Sequence, residues 1–184
     1  MRVLALDLGF LNTGFSVINK NTIEAIGVIA YNHKKFTLYV NSNKEEFETD
    51  ENKVAYQNEK IKSYLFRLLE IADNCDILSN NNYDSIIAET TFFGAQSYKA
   101  AIYMAISATF WILKYPNMQL IQPQKVKKLA KQQLGVTKVS KLDIINWINE
   151  IYTIPDDINK IPKGLHNHIY DSLAAYVTYI NEVK

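Results

Sequence analysis

Four side chains, far apart along the chain, are of the types that hold hard cations and move protons: Asp7, Glu89, His168 and Asp171. Asp7 ends the first apolar run of LALDLGFLNTGFSVI, residues 4–18, which turns through Gly9 and Gly14 and then resumes as a second apolar run. A turn needs polar residues, but it does not need a carboxylate at the last buried position of a strand. Glu89 ends another apolar run, residues 83–89. If the two strands are parallel neighbours, both carboxylates meet at the sheet edge where open α/β sheets bind ligands. Close carboxylates repel, and burial adds a desolvation cost. A divalent cation relieves both, and hard oxygen donors suit Mg²⁺ or Mn²⁺. A single acid of this kind is ordinarily a helix cap or the partner of a lysine; two, each ending a buried strand, point to function.

The segment LHNHIYDSLAAYVTYI brings the other two groups. Leu165, Ile169, Leu173, Val177 and Ile180 recur at steps of three or four and form the core stripe of a closing helix. His168 and Asp171, three apart, share a different face. His166 falls nearer the core stripe and is the weaker partner for Asp171. A His–Asp pair on a helix is more often a surface pair than a ligand set, so the case rests on convergence with Asp7 and Glu89.

The elements that must position these groups follow from periodicity. Residues 3–8 read as a central strand, apolar on both faces. Residues 14–19 and 23–30 read as a hairpin, residues 35–40 as an edge strand, and the polar residues 41–52 as a loop. Ile61, Leu65, Leu68, Ala72 and Cys75 keep helical spacing. Asn80-Asn81-Asn82 breaks the chain before the strand that ends on Glu89. Helices are expected over 95–113, 125–133, 140–151 and 165–183, with a short strand at 118–121. Ser140 and Asp143 have capping-box spacing. Strands first, then strands and helices in alternation, predict a mixed sheet with helices on both faces. There is no repeat and no domain boundary, so one domain over 1–184 is expected.

Composition narrows the setting. Hydrophobic residues are 48% and charged residues 21% of the 184, enough apolar material for a real core. The net charge is +1, so bulk charge does not announce nucleic acid. Its distribution is uneven: residues 114–141 hold seven lysines and no acid, while Arg2 and Arg67 are the two arginines. Lys125, Lys127, Lys128, Lys131, Lys138 and Lys141 would ordinarily be a solvated helix face. Beside a metal site they read as a phosphate track, giving salt-dependent affinity without sequence reading. A lone Cys75 excludes a disulfide scaffold and an all-cysteine metal site. With no signal peptide and no run near the ~20 apolar residues of a membrane span, a reducing cytoplasm is expected and no membrane partner.

These residues resemble the RuvC-type Holliday-junction resolvases, in their phage or poxvirus-like form, over nearly the whole chain. Asp7-Leu8-Gly9 followed by Thr13-Gly14 is similar to the family's first motif. Ile87-Ala88-Glu89 followed by Phe92-Phe93 is similar to the second. Gly135, Lys138 and Lys141, preceded by Pro123, Val126 and Lys127, resemble its glycine and lysine segment. The run from His168 to Ala174 resembles the last motif. Three departures stand out: His168 where the family often has Asp, Leu8 where many relatives have Pro, and few arginines.

The resemblance implies an RNase H-like fold, a mixed five-stranded sheet flanked by helices. It implies two-metal phosphodiester hydrolysis of branched DNA, with two Mg²⁺ or Mn²⁺ per site about 3.5–4 Å apart. Asp7 would bridge them, Glu89 and Asp171 would complete their shells, and His168 would bind one metal or position water. Lys138 and Lys141 would hold or neutralise the scissile phosphate, with Lys141 part of the catalytic set. Products would carry 5′ phosphate and 3′ hydroxyl ends. Phe92 and Phe93 could stack on or wedge between bases, although one of them being core explains that residue as well. Two symmetric cuts imply a homodimer; the apolar helix 95–113, with Ala101, Ala105 and Ala108, is the candidate interface, and burial within one chain would explain it equally. If the gene is viral or phage-encoded, the site of action is the host cytoplasm. Three other readings stand beside this one. Actin-like and sugar-kinase ATPases share the Asp-x-Gly hairpin, but six glycines and 184 residues leave little room for their nucleotide loops, so no nucleotide cofactor is expected. A metal-free junction-binding protein would need four incidental ligands. An RNase H-fold nuclease acting on hybrids or other branched substrates is disfavoured by the motif layout.

Overall fold

Strand β1 (Arg2–Asp7) is buried at four successive positions, Val3 to Leu6, which places it inside a sheet covered on both faces. The computed structural model describes residues 1–32, 35–48, 57–80, 82–89 and 98–182. Within it, β2 (Asn12–Asn19), β3 (Thr22–Tyr31), β4 (Lys35–Val40) and β5 (Asn43–Glu48) run on from β1 as an antiparallel meander. On the other side β6 (Ser85–Glu89) pairs parallel to β1, and β7 (Gln119–Ile121) parallel to β6. The order across the sheet is β5-β4-β3-β2-β1-β6-β7.

The two-residue period of a strand sorts the side chains between two cores. Val3 and Ala5 of β1, Ile18 of β2, Ile26 and Val28 of β3 and Ile87 of β6 face α4 (Pro123–Leu134), α5 (Lys141–Ile151) and α6 (His166–Glu182). Leu4, Leu6, Phe15, Val17 and Ala88 face the opposite way, towards α1 (Gln57–Asn74), the short α2 (Asp76–Ser79) and α3 (Tyr98–Lys114). The same parity carries Asp7, Gly14 and Glu89 to the α6 face.

Three expectations need correction. Among the described residues the sheet has seven strands where five were expected. The polar segment after residue 40, expected to be a loop, contains β5. Asn41, at φ 49°, turns the chain through two residues, a conformation asparagine tolerates. Phe47 then packs against the core while Lys44 and Glu46 face solvent with Lys35. An edge strand needs only one apolar anchor and keeps its rim charged, so its polarity imitates a loop. Finally, α6 does not bury one stripe: Ile169, Tyr170 and every residue from Ser172 to Tyr179 are buried. The sheet covers one side of it, and α4 and α5 cover another.

The capping box expected from sequence is formed, and a glycine cap not foreseen there closes the preceding helix. Ser140 and Asp143 make a reciprocal capping box that fixes Lys141 as the first residue of α5. Gly135 closes α4 at φ 67°, a left-handed position that favours glycine.

Candidate active site

Parallel register brings the first two carboxylates together. Asp7 is paired with Glu89 across β1 and β6, and with Gly14 across β1 and β2. Neighbouring strands lie about 4.8 Å apart, so the two acids stand side by side on the face that α6 covers. Gly14 then decides how close α6 can come. A Cβ on Gly14 would lie 2.2 Å from the His168 carbonyl oxygen and 2.7 Å from the His168 Cβ, so the first turn of α6 rests on bare backbone. One turn further on, Ser172 Oγ donates to the Ile169 carbonyl. Its oxygen is thereby left to accept from Ser16 Oγ at 2.9 Å in a buried contact that locks helix to sheet.

This docking sets His168 against Asp7: imidazole Nδ1 lies 2.7 Å from carboxylate Oδ2, with both side chains about one-fifth exposed. An ionised carboxylate only accepts, so Nδ1 carries the proton in this contact and Nε2 is the ring nitrogen that remains. His166 turns elsewhere, its Nε2 lying 2.8 Å from the Ile161 carbonyl oxygen. The helical spacing thus separates the two histidines as expected.

Electrostatics tie the remaining acids to this pair. Burial, then the negative charges of Asp7 and Asp171, push the Glu89 carboxyl up to about 8. Burial, then Asp7, raises Asp171 to about 6. Lys127 of α4 and Lys141 of α5 pull both back, and His168 assists at Asp171. Three carboxyl groups and one imidazole therefore share a half-buried edge where their negative charges oppose one another. Among the described residues, no three His, Cys, Asp or Glu side chains stand close enough to enclose one ion as arranged. The direct His168–Asp7 bond is part of that arrangement. The donor chemistry nevertheless fits a hard divalent cation: oxygen ligands predominate, and the mutual repulsion of the acids is a penalty that positive charge removes.

No protein-family model and no curated protein sequence matches the chain. Solved structures do. The RuvC of Thermus thermophilus in complex with a Holliday junction substrate superposes with a TM-score of 0.58 at 17% identity, covering 100% of this chain and 94% of that one. A second Thermus thermophilus RuvC structure gives a TM-score of 0.53 at 16% identity, covering 100% of this chain and 95% of that one. This chain has the RuvC fold. The carboxyl ends of the central parallel pair of its sheet, β1 and β6, carry Asp7 and Glu89.

The other sequence candidates spread around this edge of the RuvC-type sheet. Lys127, Lys128, Lys131, Lys138 and Lys141 are exposed on α4, α5 and the turn between them. Lys125 is committed to an ion pair of 2.8 Å with Glu182, eleven residues beyond Asp171 and about 16 Å along α6. Phe92 and Phe93 lie outside the described residues, as does the start expected for the helix at 95. Sequence reasoning gave Gly14 only a turn and a motif position and overlooked Ser16 and Ser172; the buried hydroxyl pair leaves no periodic signal.

Proposed function

We propose that this protein is a divalent-metal-dependent endonuclease that resolves four-way DNA junctions and related branched DNA, leaving 5′ phosphate and 3′ hydroxyl ends. The observation that carries the reading is the convergence of Asp7, Glu89 and His168 at one edge of a RuvC-type sheet, with Asp171 electrostatically coupled to them. The junction named with the Thermus protein is the substrate chemistry that such a site suits.

Asp7, Glu89, Asp171 and His168 would hold the cations, which supply charge neutralisation at phosphorus and an activated water when bound. The protein's own groups do the rest. Asp7 holds the His168 ring in one orientation through Nδ1 and leaves Nε2 as its remaining ring nitrogen. Lys127 and Lys141, already close enough to lower the acids' pKa, hold the phosphate backbone against the carboxylate edge. Lys128, Lys131 and Lys138 extend the track, and Phe92 and Phe93 meet the distorted bases.

The enzyme acts as a homodimer, because a junction needs two symmetric cuts. Support comes from α1 and α3, whose outer faces form an apolar groove of about 710 Å³ lined by Leu65, Phe66, Leu69, Ile102, Phe110 and Leu113. Phe66 is 72% and Leu113 74% exposed, and both line this one groove. The phage or poxvirus-like branch, acting in the host cytoplasm, is part of the same proposal.

Purified protein incubated with a synthetic four-way junction and with linear duplex, each in Mg²⁺, Mn²⁺ or EDTA, tests the assignment. Cutting confined to the junction and lost in EDTA is expected. Binding without cutting in every metal would reject it, and preference for an RNA–DNA hybrid would move the substrate class.

A further inference from the structure

The loop that follows Asp7 is held from the face of the sheet opposite α6. Its carbonyls are taken one by one. Gly9 O accepts from Thr13 Oγ1 at 3.1 Å and from Ser107 Oγ of α3 at 3.1 Å. Phe10 O accepts from the Tyr64 hydroxyl of α1 at 2.8 Å. Leu11 O accepts from the Tyr31 amide at 2.6 Å. The Phe10 ring is stacked between Tyr64, at 4.3 Å, and Tyr103 of α3, at 4.4 Å. Leu8, between Asp7 and the clamped carbonyls, is buried in the same core.

Ser107 is fully buried, and Tyr64 nearly so. The two hydroxyls are neighbours, since burial raises the Tyr64 pKa while Ser107 draws it back. Burying two hydroxyls in an apolar layer costs stability unless each has a partner. Both partners here are main-chain carbonyls two and three residues past Asp7. On α3, Tyr103, Ser107 and Trp111 face inward at four-residue steps, while Ile102, Ala105, Ile106, Thr109 and Leu113 line the outer groove. On α1, Tyr64 turns in beside Leu65 and Phe66, which turn out.

We propose that Ser107 and Tyr64 are positioning residues that aim the Asp7 carboxylate from the face of the sheet opposite α6. This rests on the nuclease reading for its effect on rate, but not for its effect on the loop. A strand end held by two hydroxyl–carbonyl bonds keeps its last side chain in one place. Releasing either bond lets the chain beyond Asp7 drift, and small misplacements of a reacting group cost much rate.

The test compares wild type with Ser107→Ala and Tyr64→Phe, the latter keeping the ring stack. Two measurements are made. One is the single-turnover cleavage rate of a synthetic four-way junction at saturating protein with Mn²⁺, beside junction Kd in EDTA and the folded fraction at assay temperature. The other is exchange of the Tyr31 amide, which reports opening of the loop without any chemistry. Each variant should lose about tenfold in rate, the worth of one neutral hydrogen bond. Junction Kd should stay within about twofold, and Tyr31 exchange should accelerate. Wild-type rate and exchange in both variants would overturn the inference, as would a rate loss matched by equal loss of fold and binding. If Ser107→Ala fails to fold, Tyr64→Phe decides alone. Faster Tyr31 exchange in a protein that never cuts junctions would leave the clamp standing and reject the nuclease reading instead.

Discussion

Gly14 and His168 occupy one another's space: where any other residue at position 14 would place its Cβ, the His168 carbonyl already lies, 2.2 Å away. Because Gly14 is also the register partner of Asp7, this single missing side chain allows α6 to deliver an imidazole to the end of β1. Gly14→Ala must therefore displace the start of α6. It should destabilise the fold by about 1–3 kcal/mol, as overpacking does, and cut nuclease activity by more than the melting temperature explains. Thermal melts beside junction-cleavage rates check this. Full activity in the variant would show that His168 need not sit where it does.

Asp7→Asn keeps an acceptor for His168 but removes the charge that the other groups gather around. Junction cleavage should fall by roughly 10³-fold or more, while junction binding in EDTA stays near wild type. Gel-shift and cleavage assays on the same preparation separate the two.

Stability without metal should depend on pH in an unusual direction. Folded Glu89 holds its proton up to about 8 against an ordinary 4.5, and Asp171 up to about 6 against 3.8. Between those limits the native state binds more protons than the unfolded chain, so stability falls as pH rises. In EDTA the melting temperature should drop from about pH 5 to about pH 8 and then level off. Added Mn²⁺ should raise it more at pH 8 than at pH 5.5, because ligation requires the deprotonated acids. Calorimetry across pH, with and without metal, gives the answer; a metal-induced rise that shrinks with pH would contradict the proposed ligands.

Not all lysines of the 114–141 stretch should count equally. Replacing Lys127 or Lys141 with Ala removes a cation that already stabilises the site's acids. Each should slow cleavage and reduce the slope of log affinity against log salt by about 0.9. Lys125, tied to Glu182, should change that slope far less. Salt titrations of junction binding distinguish these cases.

Leu113→Glu puts a charge into the exposed groove of α1 and α3, where the native side chain supports no core. It should keep the protein folded, with a melting temperature lowered only by the lost association, and produce a monomer in sedimentation and unpaired nicks in place of two symmetric cuts.

Much of the site is legible in the sequence because it obeys strict periods. An acid at the end of each of two apolar runs becomes adjacent as soon as the runs pair in parallel, and three residues along a helix keep His168 and Asp171 together. What periodicity does not carry is close approach and edge chemistry. Gly14 reads as a turn glycine until the helix above it is known. Ser16 and Ser172, 156 positions apart, find each other only across the finished interface. Lys125 looks like its neighbours until Glu182 is brought beside it. The strand β5 is missed because Lys44, Glu45 and Glu46 carry the polarity of a loop, and α6 seems striped because sequence does not show that α4 and α5 cover its outer side.

That charged hem has a bearing on how copies of this protein can meet. Two β5 strands laid antiparallel in register would set Glu45 of each against Glu46 of the other, like against like at the distance where repulsion is felt. The open margin of the sheet is thus guarded against adding further strands. Growth into ribbons or fibres from that side is discouraged.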